Sequence, residues 1–232
     1  MQRTIVVISA GLGSPSSTRM LADQLAAAVS AQLGELGAEA VLDVVELRDY
    51  AGDIANNLVT GYAGPALADV IARVGAADAM IAVTPTFSAS YSGLFKSFFD
   101  VLNPKFLDGM PVLFGATGGS ARHSLVLDMA IRPLFSYLRA RTMPTAVYAS
   151  PEDWGGSDGG GLDHRIAQAA GELATVLTAG IGGSTTAAGT GAFGSAMGAG
   201  HKETRAARDA AAMESLPFEQ LLAQVQAGQK IG

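Results

Sequence analysis

Residues 11–19 read GLGSPSSTR and follow an apolar run at residues 5–8. Ser14, Ser16 and Thr18 supply hydroxyl donors, with Ser17 beside them, and Arg19 adds a guanidinium. Gly11 and Gly13 let the backbone come close to a ligand. A helix that starts here leaves its first N–H groups unpaired at the positive end of its dipole, so an anion is stabilised there. Arg19 would strengthen that hold through charge-assisted hydrogen bonds. The combination suits a phosphate. Spacing excludes two familiar kinds of phosphate site. No GK[ST] follows the glycines, as a nucleoside-triphosphate loop requires, and the third glycine of the dinucleotide fingerprint is missing. What remains is a loop for a phosphate monoester, with FMN as the candidate ligand.

Two more segments carry the small and hydroxyl residues that a flat ring would need. Residues 84–100 read TPTFSASYSGLFKSFFD, where Pro85, Thr86, Phe87 and Ser88 follow an apolar strand. They offer apolar surface to a ring and main-chain groups to its polar edge. Phe95, Phe98 and Phe99 fall at helical spacing and read as core. Residues 115–123 read GATGGSARH. Here Ala116, Thr117, Gly118 and Gly119 let the backbone pass against a flat ligand and present N–H donors to it. Such donors near the flavin pyrimidine would stabilise negative charge on the reduced ring. Other candidates offer less. Glu152 and Asp153 are adjacent, form no acid–base pair and read as a solvated loop. His123, His164 and His201 lack metal-ligand spacing. Lys96 and Arg122 read as surface cations, and Trp154 as edge packing.

These segments need a scaffold that brings them together. Short apolar runs at 5–8, 41–47, 79–84, 111–115 and 146–149 alternate with helical patterns at 18–33, 66–74, 91–102, 125–141 and 163–179. That alternation predicts an α/β fold with a doubly wound, five-stranded parallel sheet covered on both faces. The flavodoxin-like order 2-1-3-4-5 puts ligands at the carboxyl ends of the strands, where all three loops lie. Composition changes after about residue 180. Residues 181–200 are nearly all Gly, Ala, Ser and Thr, and read as a linker. Residues 201–232 resume helical patterning and predict a C-terminal helical extension, docked on its own domain or on a second subunit. The 232-residue chain has a formal net charge of −6, which argues against nucleic acid as a partner. It has no cysteine, so thiol catalysis and disulfides are out. The sequence opens on a strand and contains no apolar run long enough for a membrane, which predicts a cytoplasmic protein.

With these motifs in hand, the chain resembles the NAD(P)H-dependent FMN reductases of flavodoxin-like fold. GLGSPSSTR, TPTFSASYSGLFKSFFD and GATGGSARHSLVLDMAIRPLFSYLRA carry the resemblance. It covers residues 3–180, and the branch associated with luciferase-like flavin-dependent monooxygenases is the nearest. The resemblance implies an FMN-binding reductase domain over residues 1–180 that oxidises NAD(P)H. It implies assembly as a homodimer or homotetramer, and delivery of reduced FMN to a partner monooxygenase. Carried over by motif, Ser14, Ser16, Thr18 and Arg19 would hold the phosphate. Pro85, Thr86, Phe87 and Ser88, with Ala116, Thr117, Gly118 and Gly119, would surround the isoalloxazine. The chemistry asks for no general acid or base and no metal. Two alternatives share these loops: a reductase of quinones, azo compounds or metal oxyanions, and a non-enzymatic flavodoxin-like electron carrier.

Overall fold

The computed structural model describes residues 1–155 and 161–179. The expected linker at 181–200 and the helical extension at 201–232 lie outside the described residues.

Apolar strands buried on both faces form the centre. β1 (Gln2–Ser9) lies between β2 (Glu39–Glu46) and β3 (Ala79–Phe87), and β5 (Pro111–Thr117) follows β3, all parallel. The fifth position is divided. β6 (Arg141–Thr142) pairs with the start of β5 and β7 (Val147–Ala149) with its end. Pro144 falls in the gap, where it has no N–H to give a ladder. The order β2-β1-β3-β5-β6/β7 is therefore the flavodoxin-like 2-1-3-4-5 when the parallel strands alone are counted, with the last strand in two pieces. A short return, β4 (Ser90–Tyr91), pairs antiparallel with β3 and has no counterpart in the expected elements.

Alternate residues of β1 face opposite sides, as the strand period requires. Ile5 and Val7 meet α1 (Ser17–Glu35) and α6 (Leu162–Thr178), which bury Leu21, Leu25, Val29, Leu33, Ile166 and Leu173. Val6 and Ile8 face the other layer: α2 (Ala51–Thr60), α3 (Pro65–Ala76), α4 (Gly93–Val101) and α5 (Arg132–Tyr137). Phe95, Phe98 and Phe99 of α4 are buried there, as their spacing predicts. Phe95, Phe99, Phe135 and Phe114 make successive ring contacts with centroids 4.7–5.7 Å apart.

The helix expected over 125–141 is shorter and irregular. A π-helical turn at Leu127–Ile131 precedes α5, in which the Arg132 N–H reaches back to the Leu127 carbonyl. Pro133 is the cause we assign, since it has no N–H for the carbonyl four residues before it. Arg139 then adopts the left-handed region (φ 58°), and Arg141 already belongs to β6. Among the described residues, no helix is long and apolar enough to cross a membrane.

Candidate functional site

The end of β1 and the start of α1 build the first part of the site. Ser16 caps α1 from extended backbone, and its Oγ accepts the Arg19 N–H at 3.2 Å. Gly11 is needed for this turn: a Cβ there would lie 2.0 Å from Ser16 Oγ. Ser14 is exposed on the loop. Ser9, the last residue of β1, is buried and its Oγ has no hydrogen-bond partner. Thr18 is also buried, and its hydroxyl lies 2.8 Å from that of Thr117. This bond joins the start of α1 to the end of β5. The Arg19 guanidinium is engaged, donating Nε to Asp23 Oδ1 at 2.7 Å and Nη1 to Glu46 Oε1 at 2.6 Å. The Asp23 bond is the main reason that its pKa is raised, against the opposing effect of burial.

The ends of β3 and β5 form the second part. In register, Thr84 lies beside Ala116 and Pro85 beside Thr117. Ala116 and Thr117 are buried, Pro85 and Thr86 are half-buried, and Phe87 and Ser88 are exposed at the tip. Ser88 and Ala89 both have positive φ, 48° and 66°, and close a two-residue hairpin between Phe87 and Ser90. Such a turn normally takes Asn-Gly. Its base is fixed by Thr84, whose hydroxyl accepts the Ser92 N–H at 3.1 Å and donates to the Pro85 carbonyl at 3.0 Å.

Gly118 passes so close to Tyr148 that a Cβ would meet its Oη at 2.2 Å. Its N–H donates to the Ala149 carbonyl at 3.2 Å, so this donor is used within the protein. Gly119 is exposed, and a Cβ there would meet nothing. Tyr148 donates its hydroxyl to the Ser120 carbonyl at 2.9 Å and so pins the loop. Burial pushes the Tyr148 phenol up from its usual range, with Thr86 close enough to oppose that shift. The Thr86 Oγ1 is itself inaccessible and makes no bond within normal hydrogen-bond distance.

Asp153 departs from the solvated loop expected of it. Its carboxylate accepts the Ser150 N–H at 2.8 Å and Oγ at 2.9 Å, and pairs with Arg165 at 2.7 Å. Burial works to raise its pKa, but these donors together outweigh burial and hold the carboxyl below the usual range. Beside it lies a cavity of about 570 Å³ lined by Leu127, Tyr148, Ser150, Asp153 and Arg165. Two supporting residues carry no local sequence signal. Tyr148 is one aromatic in a strand with no local mark of its contact, and Arg48, which donates to the Gly13 carbonyl at 2.7 Å, sits 35 residues from its partner.

The residues present fit a phosphate-bearing flat ligand. A capped helix start, the inaccessible and unpartnered Ser9 hydroxyl, and a small-residue path at 116–119 lie together at the carboxyl ends of the parallel strands β1 and β5. Chemically, such a crevice at the strand ends can bind and orient a flavin.

The architecture is flavodoxin-like, and the comparisons with known proteins narrow it further. Residues 3–155 match the NADPH-dependent FMN reductase family, and the chain belongs to that family. It is 39% identical over 152 residues to an FMN reductase (NADPH) of Pseudomonas aeruginosa, covering 65% of this chain and 78% of the relative. Over 150 residues it is 41% identical to the NADH-dependent FMN reductase SfnF of Pseudomonas fluorescens, with coverage of 65% and 78%. A solved oxidoreductase from Corynebacterium diphtheriae is 46% identical with a TM-score of 0.74, covering 77% of this chain and 98% of that one. The chain is accordingly an enzyme of the flavin reductase type, with FMN as its flavin and NAD(P)H as its electron donor.

Proposed function

We propose that this enzyme transfers a hydride from NAD(P)H to N5 of FMN and releases reduced FMN to a separate flavin-dependent monooxygenase. When bound, FMN supplies the hydride-accepting chemistry. The protein supplies geometry. Ser14, Ser16 and Arg19, with the main-chain N–H groups at the start of α1, hold the phosphate. The Thr18 hydroxyl is committed to Thr117, so Thr18 serves through its backbone and by tying the loops together. Pro85, Thr86, Phe87 and Ser88 form one wall of the ring site, and Ala116, Thr117, Gly118 and Gly119 the other. With the Gly118 N–H given to Ala149, the Gly119 N–H is the loop donor we assign to the ring's polar edge. Donors there stabilise negative charge that develops on transfer.

One observation carries this reading: a helix start suited to phosphate and two small-residue loops meet at neighbouring strand ends, joined by the Thr18–Thr117 bond. Assembly as a homodimer or homotetramer is part of the proposal. It is supported by large apolar side chains left exposed on the α2 and α5 side, Val59 and Tyr137 above all.

The test is NAD(P)H oxidation by purified, flavin-stripped protein, followed by nicotinamide absorbance with and without FMN. Rapid oxidation that depends on added FMN is expected, and reduced FMN should pass through a dialysis membrane to an acceptor. Flavin binding without NAD(P)H oxidation would favour the electron carrier.

A further inference from the structure

The sequence ELRDY at residues 46–50 has no role in the function proposed above. Glu46 closes β2 in register with Ser9, the residue from which the phosphate loop departs. Leu47 is fully buried and anchors the short turn Leu47–Tyr50, so Glu46 and Arg48 flank a fixed point. Glu46 uses both carboxylate oxygens. Oε1 accepts from Arg19 Nη1 at 2.6 Å, and Oε2 pairs with Arg48 Nη2 at 2.9 Å. Arg48 then donates through Nη1 to the Gly13 carbonyl at 2.7 Å, with Asp49 a further 3.7 Å neighbour of its Nε. Two arginines, one carboxylate and one loop carbonyl thus run in a chain from the start of α1 to the middle of the loop.

We propose that Arg48 is a positioning residue for the phosphate loop, and that Glu46 holds Arg48 and Arg19 together at its mouth. The inference rests on the phosphate reading of residues 11–19. The peptide between Gly13 and Ser14 is trans, so its C=O and N–H lie in one plane and point in opposite directions within it. By drawing the Gly13 carbonyl toward β2, Arg48 turns the Ser14 N–H away from β2 and toward the phosphate. It also removes a carbonyl lone pair that would otherwise repel the anion. Arginine suits this task because its planar fork bonds a carboxylate and a carbonyl at once, in fixed directions. A lysine at the same place is a point charge without that fork.

FMN and riboflavin differ only in the phosphate, so their affinities separate loop from ring. Both are titrated by flavin fluorescence into the wild-type chain, Arg48→Ala, Arg48→Lys and Glu46→Gln. Arg48→Ala is expected to weaken FMN about tenfold or more, the range for a hydrogen bond that involves a charged group. Riboflavin should stay within about twofold. Arg48→Lys should recover only a minor part of the loss, and Glu46→Gln should fall between. An FMN-to-riboflavin ratio in Arg48→Ala equal to that of the wild type overturns the inference while leaving the phosphate reading intact. A wild-type chain with no preference for FMN over riboflavin overturns both. Should Arg48→Ala fail to fold by circular dichroism, Arg48→Lys and Arg48→Gln carry the same comparison.

Discussion

Thr18 and Thr117 lie 99 positions apart, and each spends its hydroxyl on the other in a nearly dry setting. Thr18→Val keeps the shape but leaves the Thr117 hydroxyl buried without a partner, which costs about 1–3 kcal/mol. Removing both, in Thr18→Val with Thr117→Val, should return most of that loss. Chemical denaturation of the two single variants and the double variant checks this, and additive losses would show that the bond is not a unit. Asp153 gives a pH dependence. Its folded carboxyl is held below the ordinary value of 3.8, so the charged form favours the folded state. That contribution is fully present above the ordinary value and is lost as pH falls through the folded one. Melting temperature should therefore drop below about pH 4, and less steeply in Asp153→Asn. Matching slopes in the two proteins would remove Asp153 from the acid response.

The hairpin at Ser88 and Ala89 is the element where local preference and observed backbone disagree most. A left-handed backbone costs an ordinary residue about 1–2 kcal/mol. Ser88→Asn with Ala89→Gly should relieve much of this and raise the melting temperature. An unchanged melting temperature would mean that the turn carries no strain. Other elements show what a sequence can reveal. Strands buried on both faces announce themselves as unbroken apolar runs, such as AMIAVT in β3, and α4 is clear from its three phenylalanines. By contrast α2 buries only Ile54 while its other large apolar residues, Leu58 and Val59, stay exposed, so its pattern reports little of the core. The loops were visible because glycine and hydroxyl residues cluster there. Their supports were not: Tyr148 reaches a carbonyl 28 positions away and Arg48 one 35 positions away, and no local pattern encodes such distances.

At the scale of the molecule, one helical layer leaves Val59, Tyr62, Met129 and Tyr137 more than 65% exposed. If these side chains join into one patch on that layer, the patch is the surface a second copy would cover. Val59→Asp combined with Tyr137→Arg should shift the protein toward monomer in size-exclusion chromatography with light scattering. An unchanged mass would place the subunit contact elsewhere. The pairing of β2 with β1 reaches further than packing. Glu46 meets Ser9 because the residues from Glu39 onward are counted off from the end of α1 by Leu36, Gly37 and Ala38. A strand that slips by one residue turns every side chain to the opposite face. A one-residue slip of β2 against β1 would send Glu46 to the wrong side and set Arg48 adrift from Gly13. Of the three, Leu36 is exposed and free to vary, whereas Gly37 holds a left-handed turn (φ 75°) and Ala38 is buried, so this distant link sets where the far end of the sheet places its charges.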